Sequence, residues 1–161
     1  MDYLKMIKHT MKTLVDVHTR LLDLVKEKQD ILVKGDILGL QNLVHRESLC
    51  VAEIQKIEQK RNNLIQEFLE EKGIKDPSFP LEEIMKLEDD TDTKASLKDI
   101  AKQLRVLIQE ITFLNENNQH LIHASLSYIQ YSMGLLVRKE IAIGYGPHAT
   151  NSYSNLLDAK I

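Results

Sequence analysis

The chain has 161 residues, 43% apolar and 28% charged, with 6 Gly, 3 Pro and a formal net charge of −3 at pH 7. That length suits one domain or one extended bundle, and the scarcity of Gly, Pro and aromatic residues argues against collagen-like, low-complexity and sandwich-type chains. The acidic balance excludes a basic nucleic-acid binder, and a single cysteine, Cys50, excludes both an intramolecular disulfide and a Cys-rich zinc site.

The N-terminus alternates charged and apolar residues from Asp2 to Lys8, without the continuous apolar run of a signal peptide. No later window approaches the ~20 apolar residues of a membrane span. The expectation is a cytoplasmic chain with no stable membrane insertion.

The first predicted helix runs from about Asp2 to Lys34. Its seam reads Leu4, Ile7, Met11, Leu14, His18, Leu21, Val25, Lys28 and Leu32. Val15 and Leu22 widen the stripe on one side, and Val17, Leu24 and Ile31 on the other. A stripe this wide predicts contact with more than one neighbour, as in a bundle. His18 reads as a partly buried, hydrogen-bonded imidazole.

Gly35-Asp36 then supplies a left-handed stop and a cap for the next helix, so the two helices form an antiparallel hairpin. The second helix runs from about Ile37 to Lys72. Its seam is Leu40, Leu43, Glu47, Cys50, Ile54, Ile57, Arg61, Leu64 and Phe68. Cys50 therefore reads as a small core residue. Folding the hairpin near residue 35 sets Lys28 opposite Glu47. Either the two pair, or both point to solvent at the seam's edge.

Gly73, Pro77 and Pro80 end that pattern. From Glu70 to Asp92 nine acids face three Lys, a net charge of −6. Within this run Leu81, Ile84, Met85 and Leu87 could rest a short helix on the bundle. The acids read as a solvated connector, since the Gly and terminal Glu of an EF-hand loop are missing.

The third long helix is expected from about Lys94 to Glu140. Its seam runs through Leu97, Ile100, Leu104, Leu107, Ile111, Leu114, Asn118, Leu121, Ser125, Tyr128, Ser132 and Leu135. All the polar members fall in the C-terminal half, so packing must differ there. Asn118 in such a position needs a hydrogen-bond partner and can set register. Beyond Glu140 come the breakers Gly144, Gly146 and Pro147, then a polar stretch, then Leu156-Leu157-Asp158-Ala159-Lys160-Ile161. That tail is either a segment that folds on a partner or a frayed terminus with incidental hydrophobes.

The predicted fold is all-α: an elongated antiparallel bundle of three long helices with a C-terminal tail. Residues 1–140 form the bundle, with the hairpin over 2–72, the acidic connector over 73–93 and the long helix over 94–140. Residues 141–161 form the tail. No Gly-rich phosphate loop or nucleophile elbow occurs. Glu116, His120 and His123 are the only spacing that suggests a metal, and no Glu-x-x-His unit accompanies them. No catalytic residue, metal or cofactor is expected, and the chain does not read as an enzyme.

Several elements together resemble the FlgN family of flagellar export chaperones. They are Lys34-Gly35-Asp36 followed by Leu40, Leu43 and Glu47; Arg61 with Leu64-Ile65; Asn115-x-x-Asn118-x-x-Leu121-Ile122 followed by Leu126 and Tyr128; Tyr145-Gly146; and the closing Leu156-Leu157-Asp158-Ala159-Lys160. The resemblance implies a small, all-helical cytoplasmic chaperone without ATPase activity. It implies clients among the hook-associated proteins, which join flagellar hook to filament, and delivery of them to the export apparatus. It places client binding in the C-terminal part, here Leu135, Leu136, Ile141, Ile143, Leu156 and Leu157. Tyr145-Gly146 matches an element linked to docking at the export gate, although Pro147-His148-Ala149 replaces the second nearby Gly.

The residue pattern agrees with that implication. A chaperone must cover the apolar stripe of a client helix with an apolar face of its own, yet release it. Tyr128, Tyr131, Ser132, Met133, Gly134 and Tyr153 suit such a surface. Alternatively, Met133 and Gly134 let another helix of the same bundle approach closely. Two other functions remain: a structural coiled coil that self-associates, as in a homodimer, and a helical metal-dependent enzyme built on His120, His123 and Glu116.

Overall fold

A computed structural model describes residues 2–76, 78 and 80–141, with backbone alone for 138–141. Four helices follow in order: α1 (Tyr3–Lys34), α2 (Ile37–Glu71), α3 (Leu81–Lys86) and α4 (Thr91–Ile141). No strand occurs among the described residues. The chain divides into two compact units, Met1–Asn115 and Glu116–Ile161.

In the first unit α1 is the central element. Leu4, Ile7, Met11, Leu14, Val17 and Val25 are all at most 2% exposed. At about 100° per residue its buried positions, from Val17 round to Leu22, cover an arc of roughly 140°, wider than one partner needs. One edge faces α2, where the Cys50 thiol donates to the Val17 carbonyl at 3.5 Å. The other faces α4, where Leu22 and Val25 pack with Ile111, Leu107 and Leu114.

Turn chemistry sets the direction of each helix. Gly35 takes φ 70° and Gly73 φ 73°. At the first stop Asp36 N–H donates to Ile31 O at 3.2 Å and Gly35 N–H to Leu32 O at 3.3 Å. At the second, Ile74 N–H donates to Leu69 O at 2.9 Å and Gly73 N–H to Glu70 O at 3.0 Å. Both are Schellman endings, which require a left-handed residue where the helix stops. Asp36 then caps α2, accepting from Gly39 N–H at 2.9 Å.

The resulting hairpin is antiparallel. Arg20 pairs with Glu53 at 2.9 Å, Glu27 with Arg46 at 2.7 Å, and Lys28 with Glu47 at 3.2 Å. Of the two options open for Lys28 and Glu47, the structure shows pairing, with both side chains less than a fifth exposed. His18 is buried, and its Nδ1–H donates to Leu14 O at 2.7 Å.

The acidic connector has a local structural role. The Asp90 carboxylate accepts from Thr93 Oγ1 at 2.6 Å and from Asp92 N–H at 3.1 Å, opening α4. The Thr93 hydroxyl bond, more than any other contact, holds the Asp90 carboxyl below its ordinary range. Glu88 accepts from the N–H groups of Asp89 and Asp90. This cap starts α4 at Thr91, ahead of the Lys94 expected from the apolar pattern.

α3 closes one end of the core. Ile84 is fully buried among Leu4, Ile7, Met11, Leu64, Phe68, Leu69, Leu97 and Ile100, with Leu81 and Met85 against them. Leu87, expected to rest there too, is instead 40% exposed, because the helix ends at Lys86 and Leu87 forms its cap. α4 enters beside the start of α1 and meets Leu22 and Val25 further along, so the first unit is an up-down-up bundle of long helices. No helix among the described residues is long and apolar enough to cross a membrane.

Two outcomes follow from this packing. Lys28→Ala leaves Glu47 without its cation in a largely desolvated place, and should cost about 1–3 kcal/mol in urea unfolding. The exposed Lys5–Asp2 pair should contribute under about 1 kcal/mol, and Lys28→Leu with Glu47→Leu should recover most of the loss; equal effects at Lys28 and Lys5 would refute the pairing's weight. Cys50 is 6% exposed and burial pushes its thiol up, so a thiolate-directed reagent should label it only as urea unfolds the chain.

Candidate functional site

From Asn117 to Val137 the chain carries no Asp, Glu, Lys or Arg, in a protein with 28% charged residues. All of this run lies on α4, and from Asn117 to Leu136 every residue but Asn118 is half-buried or exposed. An ordinary surface helix keeps charge on its solvent side. Here the solvent meets aromatic and aliphatic side chains instead. Tyr128 is 72% exposed, Tyr131 67%, Leu136 62%, Leu135 44% and Ile129 43%.

Helical geometry sorts these residues into two stripes of the second unit. Leu121, Tyr128 and Leu135 recur every seven residues, with Tyr131 beside them. Ile122, Leu126, Ile129 and Met133 recur at spacings of four, three and four, and Leu136 follows three on. Between the stripes lie Gln119, His123, Ser127 and Gln130, polar but unionised side chains apart from the imidazole. Over residues 117–137 the helix is thus apolar over more than half its circumference and bears no fixed charge.

The residues picked out from the sequence fall as follows. Tyr128, Tyr131, Leu135 and Leu136 are exposed, Met133 is half-buried, and Gly134 has open space where a Cβ would stand. Asn115 is exposed, Asn118 is 2% exposed, and Leu121 and Ile122 are half-buried. Ile141 is the last residue of α4. Ile143, Tyr145, Tyr153, Leu156 and Leu157 lie outside the described residues. His120, His123 and Glu116 are exposed, and among the described residues no three His, Cys, Asp or Glu side chains gather to hold a metal.

Ile129 and Leu126 are additions that the heptad seam passed over. A seam counted at 3.5 residues drifts about 20° per heptad round a straight helix. By residue 125 it falls on Ser125, which is exposed, while the apolar stripe continues through Ile122, Leu126, Ile129 and Met133. Counting at 3.6 residues per turn finds them.

Exposed apolar side chains also occur in the first unit, at Val33, Ile37 and Leu38 beside the hairpin turn and at Val106 and Phe113 on α4. Those are flanked by charges, whereas the run from 117 to 137 is not.

A family model described as FlgN protein matches residues 1–152. No curated protein and no solved structure matches the chain.

Because their side chains face solvent, Tyr128→Ser, Tyr131→Ser and Leu136→Ser together should change unfolding free energy by about 0.5 kcal/mol each at most. Leu14→Ala in the core should cost about 2–5 kcal/mol. Urea titrations of the two variants check this, and a core-sized loss in the triple variant would show that those side chains are structural.

Proposed function

The chain belongs to the FlgN family, a family of flagellar export chaperones, and on that premise we propose a specific client class and binding surface. The clients are the hook-associated proteins. The chain binds their terminal helices, keeps them from assembling early and hands them to the flagellar export apparatus. The surface comprises Tyr128, Tyr131, Met133, Leu135, Leu136 and Ile141, together with Ile143, Tyr145, Tyr153, Leu156 and Leu157 in the segment that follows. Ile129 and Leu126 join it.

The observation that carries this reading is the exposed, uncharged face of α4 between Asn117 and Val137. A subunit that assembles through helices exposes an apolar stripe until it does so. A helix bearing apolar residues on two stripes can cover such a client by helix-in-groove packing. A specific complex needs about 800 Å² from each partner, within reach of a helix of this length and a following segment. Tyr supplies large contact area with few rotatable bonds, which limits the ordering cost. Ser125, Ser127 and Ser132 keep part of the face polar, which moderates affinity in a complex that must come apart.

With no fixed charge between Asn117 and Val137, the part of the surface that carries this reading, client binding should be nearly insensitive to salt. Titration calorimetry with a hook-associated protein from the same cell should give a Kd that changes by less than about threefold between low and high salt. Tyr128→Ser, Tyr131→Ser and Leu136→Ser together should weaken it by about tenfold or more, a loss above ~1.4 kcal/mol. Deleting residues 142–161 should abolish binding while helical circular dichroism persists. Unchanged affinity in the triple variant would overturn the surface. A sedimentation mass that doubles with concentration would favour the self-associating homodimer instead.

A further inference from the structure

The first unit carries a surface of opposite chemical character, in the groove between α3 and α4. Leu81 and Met85 of α3 and Ala101 of α4 form its apolar floor, all three packed against the core beneath. Lys98, Lys102 and Arg105 form the rim on α4. Spacings of four and three place these cations one above another along one helix face, over about 10 Å of axis. All three are exposed, and none makes an ion pair within 4.0 Å among the described residues. Glu82 and Asp99 also line the groove, so it holds one more cation than anion. Its volume is about 540 Å³, on the scale of a ligand cleft of ~300–1,000 Å³.

We propose that this groove docks an acidic amphipathic helix of a second protein, chemically unlike the partner of the uncharged half of α4. Charge complementarity selects the occupant. Carboxylates at i, i+4 and i+7 of the incoming helix match the rise from Lys98 through Lys102 to Arg105. Its apolar face meets Leu81 and Met85, and Ala101 leaves room for a side chain to seat. Ala101 stands between the cations where a larger residue would fill the floor. Binding here is steered by charge and weakened by salt. The chain thereby has two docking surfaces that ionic strength tells apart, a neutral one that salt barely affects and a cationic one that salt weakens.

The test uses fluorescence anisotropy on the full chain. The probe is a labelled, end-blocked helical peptide with Leu along one face and Glu at i, i+4 and i+7 beside it. Its affinity should fall about tenfold between roughly 50 and 300 mM NaCl. Lys98→Glu, Lys102→Glu and Arg105→Glu together should cost about tenfold or more, as should Met85→Asp alone. Tyr128→Ser with Tyr131→Ser should leave it unchanged, which separates this surface from the client surface. Circular dichroism confirms that each variant is folded.

Four results would overturn the proposal. The first is no binding by the probe at low salt. The second is equal binding by an all-Glu peptide without Leu, which is charge attraction with no groove. The third is full affinity in the charge-reversed variant. The fourth is a wild-type dimer at low salt that the charge-reversed variant abolishes, which assigns the groove to the acidic stretch of a second copy.

Discussion

The first unit depends on the two-sided burial of α1. Its apolar arc is too wide for one partner, so neither the hairpin with α2 nor the contact with α4 satisfies it alone. Val17 and Cys50 belong to one side, and Leu22 with Ile111 to the other. Between them Ile7, Leu14 and Val25 lose nearly all contact with water. Each fully buried aliphatic side chain contributes about 1.5–3 kcal/mol, which offsets the entropy of ordering three long helices.

That burial works only if the helices turn in the right places, and local backbone chemistry sees to it. Gly35 and Gly73 adopt left-handed φ values where side chains with a Cβ would be strained, and each closes its helix with the same pair of reversed hydrogen bonds. Asp36 and Asp90 open the following helices. The acidity between α2 and α4 is thus partly structural: Glu88 and Asp90 hold backbone N–H groups that a helix start leaves without partners.

The FlgN family places the chain among flagellar export chaperones. What a chaperone of this kind needs physically is a folded part that is stable without its client and a surface that is not. The first unit supplies a well-buried core. The proposed client surface, from Asn117 to Val137, has exposed apolar area free of fixed charge. Desolvating a charge is costly, so a surface without charges can meet a client stripe with no such penalty. The proposed cationic groove would serve a partner of different chemistry.

The sequence by itself determined the three long helices, both glycine stops and the antiparallel hairpin, since these rest on local backbone preference and on apolar periodicity. It also placed Cys50 in the core and read His18 as a partly buried, hydrogen-bonded imidazole, which the fold buries further. Lys28 and Glu47 stood level once the hairpin was folded, but whether they met or turned to solvent was decided by the close approach of α1 and α2. Tertiary structure alone decided which side of the long α4 stays uncovered, because a heptad count drifts round a straight helix and falls on Ser125 where the apolar stripe continues through Ile122 and Leu126. It alone left Leu87 in water and brought α3 over Lys98, Lys102 and Arg105 to make a groove. Short helices and long-range neighbours carry too little periodic signal to be read from the chain. Burial is a property of what lies opposite, and only the folded molecule supplies it.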